Sequence, residues 1–145
     1  MQLAVLFVRV ILGGVLLVTG ALKVGHTPDL ASAIAGFRLL PASVIPLMAL
    51  LLPFFEILLG VYLLLGLFTR VTAWVVCVQF VVYGAAIASA VIRGIPANCG
   101  CFGPHDTATA DWPHVGFDLF LAVLAALIAL YAPGALALDE RLSKR

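Results

Sequence analysis

The sequence predicts an all-α protein, a polytopic membrane four-helix bundle, on three observations. Hydrophobic residues make up 64% of its 145 residues and charged residues 10%, against about 45–50% and about 25% in ordinary globular domains. Four apolar runs approach the length of about 20 residues that a bilayer crossing needs. Only short loops lie between them. A soluble chain of this length could not hide so much apolar surface, whereas a bilayer solvates it. In lipid each crossing segment must be helical, because its backbone groups have to pair within the segment. The chain reads as one domain, 1–145. Its net charge of +1 supplies no basic face for nucleic acid.

The first helix covers about 3–22 and is interrupted only by Arg9. No Lys or Arg precedes its apolar stretch, which exceeds the roughly 7–15-residue core of a cleaved signal, so it reads as a retained span. It ends in Gly20-Ala21-Leu22-Lys23, where Lys23 is expected to snorkel to the interface. Arg9 is expected to do the same at the other end. The second helix covers about 43–67 and carries Glu56 near its centre. An ionisable group at that depth is costly and normally faces the bundle interior, with a partner or a function. Pro53, three residues earlier, is expected to kink the helix. Gly60, one turn later on the same face, lets another helix approach. Glu56 reads either as a polar clamp or as a proton-handling or quinone-contacting carboxylate.

The third helix, about 71–92, has no charge. Cys77 near its middle reads as a packing thiol, since apolar surroundings suppress thiolate formation. Gln79 and Tyr83 share a face at i, i+4 and can add polar contacts. The fourth helix covers about 114–132, bracketed by Trp112 and Tyr131 as interfacial aromatics. Asp118 lies a turn inside it, at the depth of Lys23, and the two are candidates to pair. A charged tail, 139–145, follows.

Orientation follows Lys and Arg. The side of the termini holds Arg9, Arg70, Arg141, Lys144 and Arg145, and the other side holds Lys23, Arg38 and Arg93. This asymmetry puts both termini and the tail in the cytoplasm of a cell inner membrane. The loops 26–42 and 93–113 then face the oxidising periplasm, where disulfides form.

The loop Pro96-Ala97-Asn98-Cys99-Gly100-Cys101-Phe102-Gly103-Pro104 carries the strongest chemical signal. Two extended residues span about 7 Å, near the upper Cα separation for a disulfide. A bridge between Cys99 and Cys101 therefore needs a bent backbone, which Gly100 permits. So small a ring gains little loop entropy, and strained disulfides exchange readily. We read the cysteines as a redox-active pair. The alternatives are a permanent structural disulfide, two inert thiols, or a zinc site from Cys99, Cys101, His105 and His114, whose spacing matches no common zinc pattern.

Three features resemble the DoxX-like superfamily of small four-helix membrane proteins, and its methylamine utilisation protein MauE branch most closely. They are Gly20-x-x-Lys23, then Pro53-x-x-Glu56-x-x-x-Gly60, and Asn98-Cys99-Gly100-Cys101-Phe102-Gly103. The resemblance spans nearly the whole chain, and the cysteine motif is the most specific of the three. It implies a role in periplasmic redox: disulfide maturation of a methylamine-metabolising enzyme beside a thioredoxin-like partner. DoxX relatives include a membrane subunit of a thiosulfate:quinone oxidoreductase.

The function expected is a thiol–disulfide relay. Cys99 and Cys101 exchange with a periplasmic thioredoxin-like protein, and electrons pass to or from a membrane carrier such as a quinone. One cysteine pair, where complete shuttles often use two, suits a redox partner or subunit better than a self-contained enzyme. The alternative is a non-catalytic anchor or assembly subunit of a larger membrane complex. A transporter has little support from a single unrepeated unit.

Overall fold

The computed structural model describes residues 2–100, 108–132 and 135–139. All regular structure in them is helical apart from one isolated bridge. The elements are α1 (Gln2–Lys23), α2 (Thr27–Gly36), α3 (Ile45–Leu65), α4 (Thr69–Ile92) and α5 (Trp112–Tyr131). Four of them, α1, α3, α4 and α5, are long and apolar enough to cross a membrane. They match the four expected spans to within about two residues.

The bundle is apolar outside and polar within. Leu3, Phe7, Val71 and Phe120 are 58–74% exposed, while Arg9, Lys23, Glu56, Gln79 and Asp118 are 1–7% exposed. Water would reverse that distribution. A multi-pass membrane protein accounts for it, because lipid solvates the outer Leu, Val and Phe side chains.

α1 and α3 form one close pair, and α4 with α5 another. Small residues explain the first. A Cβ on Gly60 would lie 2.8 Å from the Gly13 carbonyl oxygen, and one on Gly20 would lie 2.8 Å from the Pro53 carbonyl oxygen. Gly13 and Gly20, like Pro53 and Gly60, are seven residues apart, two turns of helix. The helices therefore run antiparallel, backbone against backbone, along two turns. Gly60 does admit another helix, as expected, and that helix is α1. Pro53 sits buried in this seam, where the N–H it lacks leaves the Ala49 carbonyl without its usual intrahelical donor.

Two features depart from the sequence reading. The stretch expected to be an outer loop, 26–42, contains α2. Pro28 begins it with the fixed φ that suits a first turn, and Asp29 lies in that first turn. Only Leu30 on it is buried, so it lies against α3 and does not span. The tail expected from 139 begins instead with a docked residue. The Asp139 carboxylate accepts the backbone N–H groups of Phe68 (2.8 Å) and Thr69 (2.7 Å). The Asp139 N–H in turn donates to the Gly66 carbonyl at 3.1 Å. Asp139 thus caps α4 from 70 residues away in sequence, satisfying donors that a helix start leaves free. Burial pushes its carboxyl pKa up, but the Thr69 and Phe68 donors and the Arg9 charge outweigh that and hold it below the usual carboxylate range. Residues 140–145 lie outside the described residues.

The Ala135 N–H donates to the Gln2 carbonyl at 3.3 Å, so both ends of the described chain meet at one end of the bundle. Arg9 is buried there, 1% exposed, and donates to the Ala135 carbonyl at 3.4 Å. It does not snorkel to the interface as expected. Segment 135–139 folds over it and supplies an acceptor and a nearby carboxylate.

Candidate functional site

At the other end, named here the loop end, the buried polar residues converge. Side chains on a helix lean back towards its N-terminus. α1 runs towards the loop end, so Lys23, its last residue, leans back into the bundle. α3 runs the opposite way, so Glu56 leans towards the loop end. The two meet: Lys23 Nζ lies 2.9 Å from both Glu56 Oε1 and Oε2, with the side chains 4% and 1% exposed.

α4 completes the Glu56 environment. The Tyr83 hydroxyl donates to Glu56 Oε1 at 2.7 Å. Gln79 Nε2 donates to the Tyr83 hydroxyl at 3.0 Å and more weakly to Glu56 Oε1 at 3.4 Å. Lys23 Nζ also sits 5.8 Å from the Tyr83 ring centroid, within cation–π range. The expected i, i+4 partnership of Gln79 and Tyr83 is present, and both serve the same carboxylate.

The pairing of Lys23 with Asp118 is not the one formed, and Lys23 does not snorkel. Depth alone made both plausible, but the lean of α1 and α3 delivers Lys23 to Glu56 with two charge-assisted hydrogen bonds. Asp118 is 5% exposed, and its Oδ2 has no hydrogen-bond partner among the described residues. Gly84 of α4 packs against it: a Cβ there would lie 3.4 Å from Asp118 Cβ. Nearer the surface, the Asp111 side chain caps α5 by accepting the His114 backbone N–H at 3.0 Å. It also pairs with His114 Nδ1. Those contacts, the side-chain one foremost, lower the Asp111 carboxyl below its ordinary value.

The base of the cysteine loop lies at this end. The Cys99 N–H donates to the Ala108 carbonyl at 2.9 Å, and the Ala110 N–H to the Ala97 carbonyl at 2.8 Å. They flank an antiparallel bridge between Asn98 and Thr109 that pinches the loop at its base. Gly100 takes φ +64, a left-handed conformation in which glycine is unstrained. A Cβ there would also lie 3.1 Å from Ala33 of α2. Cys99 is disulfide-bonded, 8% exposed, and packs with Ile87 and Val115. Cys101 and His105 lie outside the described residues, as does any metal set that includes them. Cys77 is a free thiol, half-buried against the main core.

α2 gives the loop something to face. Between them is a cavity of about 350 Å³ lined by Lys23, His26, Asp29, Ser32, Asn98 and Gly100, among others. A second space of about 30 Å³ lies below, lined by Lys23, Glu56, Tyr83, His114 and Asp118 with apolar neighbours. Lys23 borders both, so it stands between the cysteine loop and the buried carboxylates. Sequence reasoning singled out neither α2 nor this position of Lys23. The start signal Thr27-Pro28-Asp29 could have revealed the helix, but not the cavity.

A family model described as methylamine utilisation protein MauE matches residues 1–132, which include the cluster and the cysteine loop. The chain is 31% identical over 114 residues to methylamine utilization protein MauE of Paracoccus denitrificans, covering 78% of this chain and 61% of that relative. It is 33% identical over 128 residues to the protein of the same description from Methylorubrum extorquens, covering 88% and 69%. The match thus spans under two thirds of the Paracoccus protein's length. No solved structure matches the chain.

Proposed function

This chain belongs to the methylamine utilisation protein MauE family, and from that premise we propose that it is a membrane accessory of methylamine utilisation that relays electrons by thiol–disulfide exchange. The observation that carries the reading is the loop itself. Cys99 is disulfide-bonded, next to a glycine held at positive φ, over a cavity walled by α2.

The packing shields Cys99. Cys99 is buried against Ile87 and Val115, and thiol–disulfide exchange requires access to the sulfur attacked. A partner thiolate therefore attacks Cys101. The Cys99–Cys101 bond breaks, and Cys99 leaves as the thiolate. The partner's second thiolate then resolves the mixed disulfide. This oxidises the partner by two electrons, leaves Cys99 and Cys101 reduced, and releases the partner's two thiol protons. A membrane carrier of the quinone class reoxidises the pair by taking two electrons and two protons. The partner is a thioredoxin-like protein in the periplasm, which places the loop end outside and both termini in the cytoplasm.

The asymmetry gives the test. Cys99→Ser, combined with a partner that lacks its second cysteine, leaves neither side able to resolve, so with a mild oxidant supplied Cys101 should trap that partner as a reductant-sensitive adduct on a non-reducing gel. Cys101→Ser leaves only the shielded Cys99 and should trap little. If neither variant traps a partner and both still support maturation of the client enzyme, the relay is wrong, and the anchor-subunit reading takes its place. The orientation has its own expected result. In a background lacking the three native cysteines, a cysteine at Thr107 should react with a membrane-impermeant thiol reagent in intact cells. One at Ser143 should not, and the reverse pattern would invert the topology.

A further inference from the structure

Among the described residues, the buried charges at the loop end do not balance. Lys23, Glu56 and Asp118 are 4%, 1% and 5% exposed, which sets two carboxylates against one ammonium. The other buried cation among the described residues, Arg9, is at the far end of the bundle beside segment 135–139. Lys23 is committed to Glu56 through both carboxylate oxygens. Asp118 is left with an oxygen that has no partner among the described residues. An unpaired buried carboxylate is among the costliest arrangements a protein interior can hold, so one further positive charge belongs here.

The space available says what carries it. Asp118 lines the cavity of about 30 Å³ together with Lys23 of α1, Glu56 of α3, Tyr83 of α4 and His114 of its own helix. That volume exceeds the roughly 10–15 Å³ needed to hold a water. A proton with one or two waters fits. A route to it exists as well. His114 precedes Asp118 by one turn and borders the same cavity, while its Nδ1 engages the half-exposed Asp111 at the surface. Its ring therefore spans from solvent to the cavity, and imidazole is suited to shuttling protons.

We propose that this cavity is a single-proton site, in which Asp118 holds the proton and exchanges it with the loop end of the bundle through His114. In the loaded state Asp118 is a carboxylic acid whose O–H donates to cavity water. On release the O–H bond breaks, the proton passes through that water to the His114 ring and then to solvent, and the electron pair stays on Asp118. The site stands on charge balance and geometry, so it does not depend on the relay. Should the relay operate, the same site offers one route for protons between the loop end and the membrane interior.

Infrared spectroscopy of the purified protein at neutral pH, in nanodiscs of ether-linked lipid that lacks ester carbonyls, tests this by counting protonated carboxyls through their C=O stretch. The wild type should show one. It should shift when aspartate is labelled with ¹³C at the carboxyl and stay put when glutamate is labelled, a measurement that needs no variant. Asp118→Asn should lose the band. Glu56→Gln should also lose it, because Asp118 then becomes the one counter-ion to Lys23. Lys23→Met should show two bands. His114→Phe should keep the band but slow its hydrogen–deuterium exchange. A wild-type spectrum with no such band, a band that moves with labelled glutamate, or one that survives Asp118→Asn would overturn the proposal.

Discussion

Replacing Lys23 by Met should be the most destabilising change at the loop end, costing about 3–5 kcal/mol, the range for removing one partner of a buried ion pair. The magnitude comes from what is left behind. Glu56 loses both short contacts to the ammonium and stays buried in the cavity it shares with Asp118, where it must either hold an unpaired charge or take up a proton. Glu56→Gln should cost less, because Asp118 remains to face the stranded Lys23. Tyr83→Phe should cost least. It removes two hydrogen bonds, to Glu56 and from Gln79, and such bonds between membrane helices average about 0.6 kcal/mol each and reach about 1.7. Combining Lys23→Met with Glu56→Gln should recover much of the loss, since neither member of the pair is then left uncompensated. Reversible unfolding in mixed detergent micelles, followed by helical circular dichroism, gives this order directly. Equal losses for Lys23→Met and Tyr83→Phe would show that the pair is held by packing and not by charge.

The spans were readable in the sequence because membrane crossing is a composition constraint that each segment meets alone. The contacts between spans were readable only in part. Gln79 and Tyr83 lie on one helix, so their spacing placed them on one face. Glu56 had to face inward because of its cost in lipid, and Gly60 advertised a close helix. The partner of Lys23 depended on something spacing does not carry: which way each helix runs, and so which way each side chain leans. At equal depth Asp118 looked as eligible as Glu56. α2 escaped because a ten-residue helix with one buried side chain, Leu30, makes no hydropathy signal. Asp139 escaped because its role is a cap on a helix 70 residues away, and neither local pattern nor charge points to it.

The α1–α3 seam should tolerate no side chain at Gly60, while its neighbour in the fold, Gly14, should accept one freely. A Cβ at Gly60 would lie 2.8 Å from the Gly13 oxygen and 3.0 Å from the Leu17 nitrogen. Both are backbone atoms of another helix, so no rotamer change can relieve the clash and α1 must move as a body. Overpacking of this kind costs about 1–3 kcal/mol. A Cβ at Gly14 meets nothing within 4 Å, and Gly→Ala in a helix interior is worth roughly 0.5–1 kcal/mol in favour of Ala. The two substitutions, identical in chemistry, should therefore shift stability in opposite directions. The Gly60 change should also reach the site. Gly20 rests on the Pro53 carbonyl two turns along the same seam, three residues from Lys23, so a displaced α1 carries the ammonium away from Glu56. Gly60→Ala should accordingly weaken the coupling between Lys23 and Glu56 in a double-mutant cycle, whereas Gly14→Ala should leave it intact. A Gly60→Ala protein with wild-type stability and full Lys23–Glu56 coupling would mean that the two helices do not meet backbone to backbone.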